Sequence, residues 1–93
     1  MADKTASRQV KITHEPGLHA RPCLAIMNTA KRFRSKVQFR YNRETADATQ
    51  ILQLMSLGAR AGTDITIAAT GADAVEAVDA LTRLFETDFG FDD

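Results

Sequence analysis

Apolar and polar positions along the chain change period several times, and each change marks an element. Arg8 to Thr13 alternates, with Val10 and Ile12 on one side, which predicts a strand. His14-Glu15-Pro16-Gly17 then breaks any regular structure. From Ala20 to Phe33 the residues Cys23, Ile26, Met27, Ala30 and Phe33 recur at steps of three and four, one stripe of a helix. Pro22 is compatible with that helix because it falls in the first turn. Alternation returns in Lys36 to Tyr41, and Asn42-Arg43 turns the chain into a short strand at Glu44 to Asp47. Thr49 to Leu57 is a short helix, stopped by Gly58 at a place suited to a left-handed cap.

Asp64 to Ala69 is the next strand, with Ile65, Ile67 and Ala69 on one face. The last helix begins near Asp73, whose spacing to Glu76 fits a capping box, and runs to about Glu86 on a stripe of Val75, Val78, Leu81, Thr82 and Phe85. Residues 1 to 7 and 87 to 93 read as loosely held ends. The order is strand, helix, strand, strand, helix, strand, helix. With four strands, stacking every helix on one face buries all the stripes together, so the expected fold is an α+β open-faced sandwich with a four-stranded antiparallel sheet. Residues 1–93 read as a single domain.

Composition narrows the partners. Twelve Lys and Arg balance twelve Asp and Glu, so the chain as a whole is no electrostatic match for nucleic acid or an anionic membrane. No apolar run approaches the ~20 residues that span a bilayer, and the amino terminus lacks the pattern of a signal peptide. A single cysteine, Cys23, suits a reducing compartment. A soluble cytoplasmic protein, acting as a monomer, is the expectation.

The chemistry gathers in Gly17-Leu18-His19-Ala20-Arg21-Pro22. Glycine permits a tight turn, histidine stands immediately before a helix, and proline fixes the helix's first turn. The leading N–H groups of a helix lack internal acceptors, so its amino end attracts an anion and disfavours a cation. A histidine placed there keeps a ring lone pair for nucleophilic attack. A phosphoryl group on the ring meets those N–H groups, including those of Ala20 and Arg21, and the Arg21 guanidinium. Position alone would make His19 an ordinary polar residue at a helix start; the six-residue string together says otherwise.

GLHARP resembles the active-site signature of HPr, the histidine-containing phosphocarrier of the bacterial sugar phosphotransferase system. Leu54-Met55-Ser56-Leu57-Gly58 and Ile65-Thr66-Ile67-Ala68-Ala69-Thr70-Gly71-Ala72-Asp73 are similar to two further blocks of that family. The resemblance implies the same sandwich and a protein that takes a phosphoryl group from enzyme I onto His19, on the ring's δ nitrogen, with Arg21 as phosphate-binding neighbour. It then passes the group to a IIA-type acceptor. Such a chain is a carrier rather than a turnover enzyme and needs no cofactor. A regulatory adaptor, whose phosphorylation state sets its partners, is the alternative. The ending from Leu84 to Asp93 resembles the nitrogen-related branch, whereas the middle blocks resemble the sugar branch, and the choice stays open.

The short helix adds a docking expectation. Ile51, Leu52, Leu54, Met55 and Leu57 are too many apolar residues for one face of two turns, so some must remain exposed, or else the whole helix is buried. Leu24 falls off the first helix's stripe, one turn beyond His19. The resemblance makes Leu24, Ile51, Leu52 and Met55 a shared partner surface. Three departures from the family matter. Gln50 stands where many Gram-positive relatives carry a regulatory serine, and an amide accepts no phosphoryl ester; Thr49 beside it is placed to cap the helix. Gln53 replaces a frequent lysine, leaving Arg21, Lys31 and Arg60 to steer partners. Pro16 replaces a small polar residue before the glycine. Finally, His14, His19 and Cys23 make a poor zinc set, because three ligands are few and a metal would block His19; Cys23 is expected to pack as a small apolar residue.

Overall fold

The strand that opens the chain is longer at its start than its apolar pattern suggests. In the computed structural model, which describes residues 4–13 and 15–90, β1 spans Thr5–Lys11. It lies antiparallel to β4 (Asp64–Thr70), with Thr5 opposite Thr70 and Lys11 opposite Asp64. Thr5 to Ser7 are therefore paired backbone, not a loose end. They escape notice in the sequence because an edge strand with one solvated face needs few apolar residues. Residues 1–3 and 91–93 lie outside the described residues, as does His14.

α1 (Ala20–Ala30) follows, then β2 (Lys36–Tyr41) and β3 (Glu44–Asp47), α2 (Ile51–Ser56), β4 and α3 (Ala74–Glu86). All strands are antiparallel in the order β1-β4-β2-β3, with the three helices on one face. Asn42 takes a φ of +56° in the tight turn between β2 and β3, a conformation asparagine tolerates better than most side chains. The fold is the expected α+β open-faced sandwich.

Between sheet and helices lies one core. Phe39, Ile65 and Ile67 rise from β2 and β4 to meet Cys23 and Ile26 of α1, Leu54 of α2 and Leu81 of α3, all essentially inaccessible. Burial pushes the Cys23 thiol up to about 11, which keeps it neutral and fits its packing as a small hydrophobe. Phe33 lies beyond the end of α1 and is only half-buried. Val75 is 49% exposed, so Ala74 and Ala77 take its expected place on the buried stripe of α3.

Two local readings give way to tertiary contacts. The tail after α3 is held, not loose: Asp88, Phe89 and Gly90 turn through φ values of +52°, +63° and +69°, and this drops Phe89 against Phe85 with ring centroids 4.9 Å apart. Phe85 in turn lies 6.0 Å from Phe39, so the turn extends the core's aromatic row. Nor does Asp73 form the expected capping box, since its side chain makes no cap bond to α3. Its carboxylate accepts hydrogen bonds from the Arg34 N–H at 2.9 Å, the Ser35 N–H at 2.8 Å and the Ser35 hydroxyl, pinning the loop between α1 and β2.

Those bonds, the Ser35 hydroxyl's first, hold the Asp73 carboxyl below the usual carboxylate range. A depressed folded-state value stabilises the protein above the unfolded carboxyl value of about 3.9, and that contribution is lost as pH falls through the folded value. Asp73→Asn should therefore destabilise the protein at neutral pH, with the gap to wild type narrowing below about pH 4. Urea melts at neutral and acidic pH measure this; an unchanged gap would mean the carboxylate's charge contributes nothing.

Candidate functional site

Downstream of β1 the chain is clasped to the loop between α2 and β4. The Ile12 N–H donates to the Thr63 carbonyl at 2.8 Å, and the Gly62 N–H donates back to the Ile12 carbonyl at 2.7 Å. Gly17 sits at φ +116° in an isolated antiparallel bridge with Arg60, and the Leu18 N–H donates to the Ala59 carbonyl at 3.0 Å. A β-carbon on Gly17 would lie 2.5 Å from the Ala59 oxygen, so only glycine fits here. Leu18 buries its side chain beside this strap. Turn and side chain together fix the point at which His19 begins.

His19 is the N-cap of α1. Its backbone is extended (φ −109°, ψ −165°), its N–H donates to the Gly17 carbonyl at 3.1 Å, and its carbonyl accepts from the Cys23 N–H at 3.1 Å. The imidazole does not cap the helix and is half-buried at the surface. Pro22 contributes no N–H, and that of Cys23 is committed to the His19 carbonyl. No acidic residue occupies the first turn of α1, where the positive end of the helix dipole lies. Arg21 is exposed one residue into the helix. The positions of His19, Ala20 and Arg21 form one anion-attracting corner.

Arg60, expected among the cations that steer partners, has its backbone brought to this turn by the bridge to Gly17, 43 positions away. Lys31, by contrast, ends α1 as its C-cap, about 18 Å along the axis from His19, and lies away from this corner.

α2 packs against α1 and divides its apolar residues as the crowding of its sequence requires. Leu54 and Leu57 are buried and Ile51 is half-buried, whereas Leu52 and Met55 are 75% and 39% exposed. Leu24, on α1, is 46% exposed. Among the described residues only Val75 joins these three as an exposed large hydrophobe. On its other flank α2 forms a shallow groove with β3, lined by Glu44, Thr45, Leu52, Gln53, Ser56 and Leu57.

The polar residues of this region have structural partners. Gln50, not Thr49, is the N-cap of α2, and it makes no side-chain cap bond. The Thr49 hydroxyl instead donates to Asp47 Oδ1 at 2.7 Å, which corrects the expectation that Thr49 caps the helix. Gln53 Oε1 accepts the Asp47 N–H at 2.9 Å, so its amide is turned toward β3. The Ser56 hydroxyl donates to the Leu52 carbonyl at 2.7 Å. Among the described residues no cluster of three His, Cys, Asp or Glu is placed to hold a metal ion, and no helix is long and apolar enough to cross a membrane.

A four-stranded sheet roofed on one side by three helices, with an imidazole at the head of the first, places the chain among the open-faced sandwiches that carry HPr. The family model for the PTS HPr component phosphorylation site matches residues 6–87. Solved structures agree. HPr-C-His from Thermoanaerobacter tengcongensis superposes with a TM-score of 0.89 at 33% identity, covering 94% of this chain and 98% of that one. The phosphocarrier protein HPr from Bacillus anthracis gives 0.82 at 32% identity over 87% and 96%. Crh of Bacillus subtilis gives 0.70 at 32% over 88% and 93%. The chain belongs to the HPr family and is a phosphocarrier of phosphotransferase-system type.

Proposed function

We propose that this chain accepts a phosphoryl group on His19 from enzyme I, itself charged by phosphoenolpyruvate, and delivers it to a IIA-type acceptor in sugar uptake or its regulation. The observation that carries this reading is the half-exposed imidazole at the N-cap of α1, behind the Gly17 strap and beside Arg21. A ring nitrogen lone pair attacks the donor's phosphorus; the new N–P bond forms as the donor's breaks, and the donor nitrogen leaves with its electron pair. Ala20 and Arg21 N–H groups and the Arg21 guanidinium steady the oxygens. Delivery is the same exchange in reverse, with the acceptor attacking the phosphorus. His19 is consumed and regenerated in every cycle, so the chain is a carrier rather than a turnover enzyme. It works in the cytoplasm, as a monomer, without metal or cofactor.

Likeness to Crh, described as a catabolite repression HPr, supports a second reading in which the phosphorylated and unphosphorylated forms bind different regulators. Kinase control at the start of α2 is outside both readings because Gln50 has no hydroxyl. The experiment that separates carrier from adaptor is discharge. Protein charged by enzyme I and phosphoenolpyruvate is mixed with IIA-type acceptor domains, and the label is followed. Transfer off the chain supports the relay; label that stays on the chain with every acceptor sinks it.

Docking rests on the exposed apolar positions Leu24, Leu52 and Met55, with Ile51 at the edge. Truncating one contact in an interface core costs about 1–2 kcal/mol, roughly a five- to thirty-fold loss of affinity. Leu52→Ala should weaken enzyme I binding by that order in calorimetry and leave the thermal melt almost unchanged, since Leu52 is 75% exposed. Normal binding by this variant would move the docking surface elsewhere.

A further inference from the structure

The face of the sheet turned away from the helices carries exposed cations beside shallow depressions. Alternation along β2 places Val37 and Phe39 in the core and leaves Lys36, Gln38 and Arg40 on the open face. The register sets Lys36 beside Thr70, Gln38 beside Ala68 and Arg40 beside Thr66, and across β4 it sets Ser7 beside Ala68 and Thr5 beside Thr70. Ala68 supplies only a methyl group at the centre of this grid, so the sheet is hollow there. Two shallow depressions of about 300 and 260 Å³ share Arg40, Ala68 and Thr70; the first is lined also by Lys36 and Gln38, the second by Thr5 and Ser7.

The lining is one-sided in its chemistry. It holds two cations, hydroxyls and an amide, and no carboxylate. The nearest acid across the sheet, Asp47 opposite Gln38, accepts the Thr49 N–H and hydroxyl at 2.8 and 2.7 Å and also feels the charge of Lys36, so it flanks one side of the grid. Asp64 stands at the far end of β4, beside Lys11. Lys31, Arg32 and Arg34 are exposed in the loop that leads into β2, so a neutral chain gathers much of its positive charge at this end. Asp73 lies against that loop, where its carboxylate accepts the Arg34 and Ser35 backbone N–H groups. Clustered cations around a concave polar surface raise the local concentration of anions.

We propose that this open face binds a small anion bearing two or more phosphoryl groups, bridging Lys36 and Arg40 over Ala68. Four steps of about 3.3 Å along β2 separate the two cations by about 13 Å, and their long side chains can close on a ligand lying between them. Threonine and serine hydroxyls and the Gln38 amide supply neutral donors to the remaining oxygens. Concavity on this scale suits a compact ligand better than a polymer.

The test is a backbone amide NMR titration of the full chain with inorganic tripolyphosphate, against sulfate at matched ionic strength. Saturable shifts confined to residues 36–40, 66–70 and 5–7 are expected, with sulfate producing none that saturate. Lys36→Gln and Arg40→Gln should each weaken binding about ten-fold without disturbing the unliganded spectrum, because both side chains are exposed. His19→Ala should bind as wild type does, which separates this site from the phosphocarrier corner. Shifts that rise linearly, shifts centred on Ala20 and Arg21, or binding indifferent to both substitutions would overturn the proposal. So would tight binding of an oligonucleotide or an anionic vesicle with no saturation by tripolyphosphate.

Discussion

His19→Ala should leave the protein folded and unable to take a phosphoryl group from enzyme I. The loss is expected because the residues that follow His19 offer no replacement nucleophile: Ala20 has only a methyl group, the Arg21 guanidinium is a donor without an acceptor lone pair, and Pro22 lies in the helix backbone. Folding is spared because the bonds that shape the turn run through the backbone of His19, its N–H to Gly17 and its carbonyl from Cys23, and alanine keeps both. The melting transition should move by no more than the roughly 0.5 kcal/mol typical of surface changes. Incubation with enzyme I and phosphoenolpyruvate, followed by a gel at alkaline pH and a thermal melt, reads both halves. Label retained by this variant would place the acceptor on another residue.

Gly17→Ala should be the most damaging single methyl in the site. The new carbon would sit 2.5 Å from the Ala59 carbonyl oxygen and 3.0 Å from Arg60 Cα, both backbone atoms, at a φ of +116° that alanine resists. Relief requires the turn to leave the loop before β4, which breaks the Leu18–Ala59 bond and frees the start of α1. The cost is about 3 kcal/mol, which lowers the melting temperature of a domain this size by roughly 12–24 °C. Below that melting point the surviving folded protein should still accept phosphate more slowly, because the imidazole no longer has a fixed position. Gly58→Ala is the control: it also has positive φ (+64°), but its added carbon meets nothing within 4 Å, so it loses stability without losing the strap. Equal effects from the two would remove the strap from the account.

What could be read from the chain depended on whether its cause was local. β2 and β4 were legible because alternating Val37 and Phe39, and Ile65, Ile67 and Ala69, all face one core. GLHARP was legible because turn, nucleophile and helix start lie within six consecutive residues. The strap that aims them was not, since Ala59 and Arg60 come from a loop that advertises nothing. Asp73 matched a capping pattern in the sequence, yet its carboxylate found Ser35, 38 residues away, a competition that only the folded chain decides. The tail misled in the opposite sense. Residues 87 to 93 read as a loosely held end, and it is the run of positive φ at Asp88, Phe89 and Gly90 that turns Phe89 inward.

The central claim is that the phosphoryl group rides on the imidazole at the head of α1. Its most direct test is mapping on the unmodified protein: charge the chain with enzyme I and phosphoenolpyruvate, digest it at alkaline pH to preserve N–P bonds, and locate the phosphoryl group by tandem mass spectrometry. The account predicts a single modified peptide with the group on His19, removed by brief acid treatment. An acid-stable group on Thr49 or Ser56, or one on His14 with His19 unmodified, would contradict it.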